Sequence, residues 1–435
     1  MPKLQVITLG CSKNTVDTEH LLYQVQDRYE LVPEGEGGPV DVLLINTCGF
    51  IGDAKEESVN TILEAAKRKT EGQVGRLLVF GCLSQRYPQE LPGLIPEVDG
   101  WFGAREQEPL IRALGCEPKP VEGRYLTGPA KPYAYLKISE GCDRRCSYCA
   151  IPFIRGAHRS VPMEKLVQEA RSLAQRGVKE LIIIAQDTTY YGLDLYGKRC
   201  LAQLLQRLSE VEGIEWLRIH YSYPASFPED VLDQMASNPK VCRYMDIPLQ
   251  HVADEVLQKM HRGVDGAWTR ELIRRMREKV PGVALRTTLI VGHPGETEAH
   301  FRELVDFVKE ARFQRMGAFT YSEEEGTYGE QHFKDSIRPS VKQKRLQELM
   351  EVQRGISLAY NKSRLGTVER VLVDGFSDDM LICRSEFESP EVDGEILVPI
   401  QALIRGGRSP QSFVGEFLTV RITGADEYDL QAEVI

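Results

Sequence analysis

Three patterns predict an α/β multidomain protein: an N-terminal parallel α/β domain, a partial (β/α)6 TIM-like barrel, and a small C-terminal all-β, OB-like barrel. In the first third, apolar runs that close on a cysteine alternate with helical periodicity. From about Tyr133 a strand-then-helix repeat occurs six times, and short β patterns fill the roughly 70 residues after Gly366. At 435 residues the chain is too long for one ordinary domain. The expected division is 1–120, 128–365 and 366–435.

The cysteine-terminated runs are Leu4–Cys11, Asp41–Cys48 and Arg76–Cys82. Each reads as a buried strand, with helical patterns from Asp17 to about Arg28 and from Asp53 to Arg68 between them. Asp53 and Glu56 stand at capping-box spacing. Alternating strands and helices imply a parallel sheet with right-handed crossovers, whose strands all end on the edge where such sheets bind ligands. Cys11, Cys48 and Cys82 are therefore expected to meet. That convergence alone is equally compatible with an iron–sulfur cluster, zinc or mononuclear iron. Cys116, Cys200, Cys242 and Cys383 lack this context and read as structural thiols.

The central strands are expected at Tyr133–Ser139, Glu180–Gln186, Trp216–Ser222, Tyr244–Gln250, Ala284–Gly292 and Arg315–Ser322. Clear helical periodicity marks Met163–Arg176, Leu201–Ser209, Trp268–Lys279 and Glu298–Ala311. In such a barrel the loops after the strands build the site. Polar residues cluster there: Gln186-Asp187-Thr188-Thr189, His220-Tyr221-Ser222, Gln250-His251 and Gly292-His293-Pro294-Gly295-Glu296. Gly292 and Gly295 alone are too few for a dinucleotide or phosphate loop.

After the first central strand come Cys142, Cys146 and Cys149, spaced C-x3-C-x2-C. A structural zinc site normally needs four N/S ligands, and the nearest further candidate, His158, lies nine residues on. Three thiolates leave one iron of a 4Fe-4S cluster without a protein ligand.

The chain carries a net charge of −10, and that charge is uneven. From Gly366 onward there are 14 Asp and Glu against 5 Arg and no Lys. Such a surface suits a basic partner and argues against tracking phosphates. A charged helix from Lys342 to about Arg364 connects to β patterns at Val368–Val373, Met380–Arg384, Glu395–Pro399, Glu416–Ile422 and Leu430–Val434. No leader sequence opens the chain and no apolar run nears the ~20 residues of a membrane span, so a cytoplasmic protein is expected. Ten cysteines there indicate metal or redox chemistry rather than disulfides.

The central motif, with Tyr148 before its last cysteine, resembles the radical S-adenosylmethionine superfamily. Thr8–Asn14, Asn46–Ile51 and the central motif together resemble its methylthiotransferase family. That resemblance implies two 4Fe-4S clusters, one on Cys142, Cys146 and Cys149 and a second on Cys11, Cys48 and Cys82. It also implies S-adenosylmethionine as radical source and methyl donor, and a C-terminal TRAM domain. Tyr148, Asp187, Gln250, Gly292 and Glu296 are the residues it places at the cofactor.

Leu9–Asp17, Gly49–Ile51, Gln186–Gly197 and Asp246–His251 are similar to the RimO-type branch, which implies methylthiolation of the β-carbon of an aspartate in the basic small-subunit ribosomal protein twelve. An external electron donor and a sulfur donor are then implied partners, with neither membrane nor tRNA expected. Ser12 stands where the family often has Pro, and His293 where it often has Phe. The competing readings are a tRNA adenosine methylthiotransferase and, from another class, a non-catalytic metal-cluster protein that docks a basic partner. Iron and sulfide content separates the last from the first two.

Overall fold

The computed structural model describes residues 1–120, 123–128, 130–402 and 408–435. Its first unit is a five-stranded parallel sheet in the order β2-β1-β3-β4-β5: β1 (Lys3–Thr8), β2 (Glu30–Val32), β3 (Val40–Thr47), β4 (Val74–Gly81) and β5 (Gly100–Gly103). Helices α1 (Ser12–Val25), α2 (Gly52–Thr70) and α3 (Cys82–Arg86) follow β1, β3 and β4. The three cysteine-terminated runs are the adjacent central strands, so their carboxyl ends share one edge.

Two local expectations are corrected. Helix α1 starts at Ser12 rather than Asp17, with Cys11 as an extended N-cap residue. The Asn14 amide fixes this first turn by donating to the Leu9 carbonyl at 2.7 Å and the Thr47 carbonyl at 3.2 Å. Polar Ser12, Lys13 and Asn14 concealed the start because Lys13 and Asn14 are themselves buried. The capping box of α2 does not form. Its N-cap is Ile51, without a side-chain cap, and Asp53 instead lies in the first turn, complementing the helix dipole.

The second unit is a six-stranded parallel sheet, β13-β12-β11-β10-β9-β6. Its strands are β6 (Tyr133–Lys137), β9 (Glu180–Ile184), β10 (Trp216–Ile219), β11 (Val241–Asp246), β12 (Ala284–Val291) and β13 (Arg315–Thr320). A short ribbon of β7 (Ser139–Glu140) and β8 (Arg159–Ser160) follows β6. Alternation separates two faces: Ala134, Leu136, Leu181 and Ile183 join the core with the surrounding helices, whereas Tyr133, Tyr135, Ile182 and Ile184 face the barrel interior with Val16 and Tyr221.

The helix Pro339–Ser363 leads to a closed barrel, β14-β15-β16-β18-β17: β14 (Val368–Ser377), β15 (Met380–Arg384), β16 (Ile396–Pro399), β17 (Phe417–Ala425) and β18 (Leu430–Val434). The link between β15 and β16 docks on the central strands, with contacts from Lys131 before β6 to His220 just after β10. Arg218 donates to the Glu386 carbonyl at 2.7 Å, Ser389 meets His220 at 2.8 Å, and Tyr244 donates to Asp393 at 2.7 Å. The N-terminal unit reaches the carboxyl ends of these strands, where Lys137 meets Asp17 and Glu324 meets Lys55 and Arg86.

Candidate metal centre

Cys142, Cys146 and Cys149 lie in the loop between β7 and a short helix, Ile151–Arg155. The turn into it needs Gly141: its φ is +76°, and a Cβ there would sit 2.1 Å from the Ala157 carbonyl oxygen. The loop is pinned by Cys142 N–H to the Gly156 carbonyl (3.0 Å) and Ser147 N–H to the Met260 carbonyl (3.1 Å). Arg262, itself buried, donates to the Cys146 sulfur at 3.3 Å and to the Tyr148 hydroxyl at 3.2 Å. The Tyr223 hydroxyl lies 3.7 Å from the same sulfur.

Burial pushes the Cys142 thiol up to about 12, and pushes Cys149 up as well, with neighbouring thiols of the set adding to both. A bound cation reverses that preference, so metal loading here releases protons.

The second set sits where β1, β3 and β4 end. Gly10, at φ +92°, lets the chain pass against Cys48; a Cβ there would lie 2.7 Å from the Cys48 Cβ and 3.0 Å from its sulfur. The Cys48 N–H donates to Ser58 Oγ at 3.0 Å, and the Cys82 sulfur lies 3.9 Å from Asn14 Oδ1. Cys11 is exposed. Burial raises the Cys48 thiol and brings Cys82 up to about 11, and the charge of Cys11 adds to both.

The two sets adjoin. Ala150 and Ile154, just after Cys149, pack on Cys82. Arg155 donates to Asn14 Oδ1 and to Asp17, at 2.6 Å each, and to Glu140 at 3.3 Å. From the other side of the mouth, Glu324 accepts from Lys55 and Arg86, both at 2.8 Å. Neither Arg155 nor Arg262 was picked out from the sequence. Their partners are distant in the chain, and no spacing rule marks a lone buried arginine.

The residues expected at the cofactor divide in two. Tyr148 and Ile290 both pack against the cluster of Ala253, Val256 and Met260, and the Ile290 N–H donates to the Gln250 carbonyl at 2.8 Å. Gln250 holds φ +73°, and its buried Oε1 has no partner among the described residues. Asp187 is committed instead to Arg144 (2.9 Å) and the Thr189 N–H and hydroxyl (2.9 and 2.6 Å). Glu296 is committed to the Gly292 N–H (2.7 Å) and Arg345 (2.8 Å), and Gly292 itself packs against Lys342.

His158 does not join the thiols; its Nε2 meets Ser160 Oγ at 3.0 Å. Cys200, Cys242 and Cys383 are buried in separate apolar cores, and Cys116 is half-buried away from both sets.

Among the described residues, no three His, Cys, Asp or Glu side chains close around the position of a lone metal ion. Two triads of soft donors at strand ends, with the buried Gln250 oxygen left without a partner among the described residues, fit thiolate-bound clusters with an organic co-ligand.

A partial parallel barrel with three thiols in the loop after its first strand defines the radical S-adenosylmethionine class. The Radical SAM superfamily profile matches residues 136–308, the uncharacterized protein family UPF0004 matches 3–103, and the TRAM domain matches 365–435. The ribosomal protein uS12 methylthiotransferase RimO of Bacteroides thetaiotaomicron is 51% identical over 437 residues, covering 100% of this chain and 98% of that protein. The Porphyromonas gingivalis protein of the same name is 50% identical over 436 residues, covering 100% and 99%. The chain belongs to the RimO family of uS12 methylthiotransferases.

Among solved structures, the radical S-adenosylmethionine methyltransferase TsrM from Kitasatospora setae, with cobalamin and a [4Fe-4S] cluster bound, aligns with TM-score 0.55 at 16% identity, covering 74% of this chain and 75% of that one. The cobalamin-dependent enzyme OxsB aligns with TM-score 0.52 at 14% identity, covering 76% and 55%. At these identities the likeness concerns the fold.

Proposed function

We propose that this chain methylthiolates the β-carbon of an aspartate in ribosomal protein uS12. The observation that carries the reading is the junction of two three-thiol sets at one barrel mouth, where Ile154 and Arg155 touch both sides, in a chain about half identical to RimO proteins along its whole length. The units serving it are 1–120 for the second cluster, 128–365 for the radical core and 366–435 for the TRAM domain.

When bound, two 4Fe-4S clusters and S-adenosylmethionine supply the radical, the sulfur and the methyl group. Cys142, Cys146 and Cys149 hold the first cluster, and Cys11, Cys48 and Cys82 the second. Arg262 places a positive charge against the Cys146 sulfur and orients the Tyr148 hydroxyl. Gln250 offers its free oxygen to the cofactor. Asp187 holds the Arg144 guanidinium over the Tyr223 ring, 4.1 Å from its centroid, at the rim. Gly292 and Glu296 brace the loop after β12 from behind. Ile182, Ile184 and Val16 keep water from the interior. Electrons and sulfur come from outside partners, and the reaction takes place in the cytoplasm.

The test is anaerobic incubation of the reconstituted protein with S-adenosylmethionine, reductant, sulfide and either uS12 or unmodified tRNA, followed by mass spectrometry of both. A methylthio adduct on a uS12 aspartate is the expected result. An adduct on tRNA adenosine, with none on uS12, overturns the substrate assignment. Zinc without sulfide in the purified protein overturns the chemistry.

A further inference from the structure

Ten Lys and Arg side chains are buried among the described residues, and eight of them pair with a carboxylate: Arg124, Arg155, Arg218, Arg315, Lys342, Arg345, Arg364 and Arg384. A ninth, Arg262, rests on the Cys146 sulfur. The tenth, Lys13, has neither a carboxylate nor a hydrogen-bond acceptor among the described residues, although it is only 8% exposed. Its ammonium lies 3.0 Å from the centroid of the Tyr221 ring. A cation–π contact contributes roughly 0.5–2 kcal/mol, well short of what burying an unpaired charge costs.

The acids nearby are already engaged. Asp246 accepts from the Tyr221 N–H at 2.9 Å and from Arg286 at 3.0 Å. Asp17 is held between Lys137 and Arg155. His220, adjacent to Tyr221, is engaged elsewhere, its Nε2 meeting Ser389 Oγ at 2.8 Å. Tyr221 itself takes φ +57°, a strained conformation for an aromatic residue, which turns its ring into the mouth. The environment therefore holds a cation in place and leaves it without an anion.

We infer that Lys13 is the binding group for the carboxylate of the aspartate that is modified, and so sets the choice of an acidic side chain over a nucleobase. This rests on the functional reading above and deepens it. Lys13 stands two residues beyond Cys11 on the N-terminal unit, yet its ammonium lies on Tyr221, at the strand end after β10 of the radical unit. A carboxylate bound there holds the β-carbon one bond away, where the N-terminal and radical units meet. A carboxylate from the methionine part of the cofactor belongs beside Cys142, Cys146 and Cys149 instead. An adenosine base carries no anion to match the charge.

The experiment measures equilibrium binding of uS12, and of uS12 with the target aspartate changed to asparagine, to the anaerobically reconstituted full chain. The wild type is expected to prefer the aspartate form at least ~tenfold. Lys13→Met should bind both forms equally, and Lys13→Arg should restore the preference in part. Iron and sulfide contents of each variant show whether the clusters survive. Should Lys13→Met keep the preference, the assignment is wrong. It is equally wrong if Lys13→Met instead weakens S-adenosylmethionine binding measured by equilibrium dialysis, since the anion is then the cofactor's. If the wild type neither binds nor modifies uS12, the functional reading itself fails, independently of Lys13.

Discussion

Each thiol set depends on a glycine as much as on its sulfurs. Gly10→Ala adds a Cβ 2.7 Å from that of Cys48 at a φ of +92°, and both effects push β1 away from β3. The expected outcome is loss of about half the iron, since Cys142, Cys146 and Cys149 lie on another loop; metal analysis after reconstitution checks it. The cysteines separate the two roles in the same way. Cys146→Ala should abolish deoxyadenosine formation from S-adenosylmethionine. Cys48→Ala should spare it and eliminate the methylthio product, with both products read by mass spectrometry. The cysteines were legible in the sequence because spacing and strand ends mark them. Arg262, Arg155 and the solitary state of Lys13 were not, because each is defined by what lies, or fails to lie, around it in three dimensions.

At the level of elements, the strongly periodic segments were legible almost to the residue. Leu201–Ser209, Glu298–Ala311, Met380–Arg384 and Leu430–Val434 form where their patterns place them. Helix α1 was misread because its first turn is an interface, so its polar residues are buried and its amphipathic pattern starts late. The acidic C-terminal segment shows what a count of charges leaves out. Of its 14 acids, Glu369, Asp374, Glu386, Glu388, Glu391, Asp393, Glu416 and Glu427 pair within the molecule, most of them with the central barrel or the connecting helix.

Much of the charge that suggested a basic partner thus docks the domain to its own chain. Composition counts charges but cannot say which way they face. The junction at α1 can be tested directly. Arg155→Met removes a buried guanidinium shared by Asn14, Asp17 and Glu140, and breaking such a pair costs about 3–5 kcal/mol. The expected result is lower thermal stability and earlier proteolysis between the N-terminal and central units, with the C-terminal barrel unaffected.

Across the whole molecule, one carboxylate ties three parts together. Glu388, in the link between β15 and β16, accepts from Arg315 at the start of β13 at 3.0 Å, and from Arg364, just beyond the connecting helix. Burial opposes its charge, but the two guanidinium groups prevail and hold the carboxyl at about 2, against an ordinary value of 4.5. A depressed native value means that the unfolded chain takes up the proton first. Its stabilisation is therefore complete above about pH 4.5 and is lost as pH falls toward 2. A shift of that size corresponds to about 3 kcal/mol.

Burial raises Asp374 and Asp393, which pulls the other way, so the slope of the wild type alone does not isolate Glu388. Comparison with Glu388→Gln does. The variant should be less stable at pH 7, because Arg315 and Arg364 each lose a charged partner, and its stability should fall less steeply than the wild type's between pH 4.5 and 3 in denaturant titrations. Equal slopes would mean that the three parts are held by packing alone, and that the C-terminal barrel stays seated on the central strands whatever the charge on Glu388.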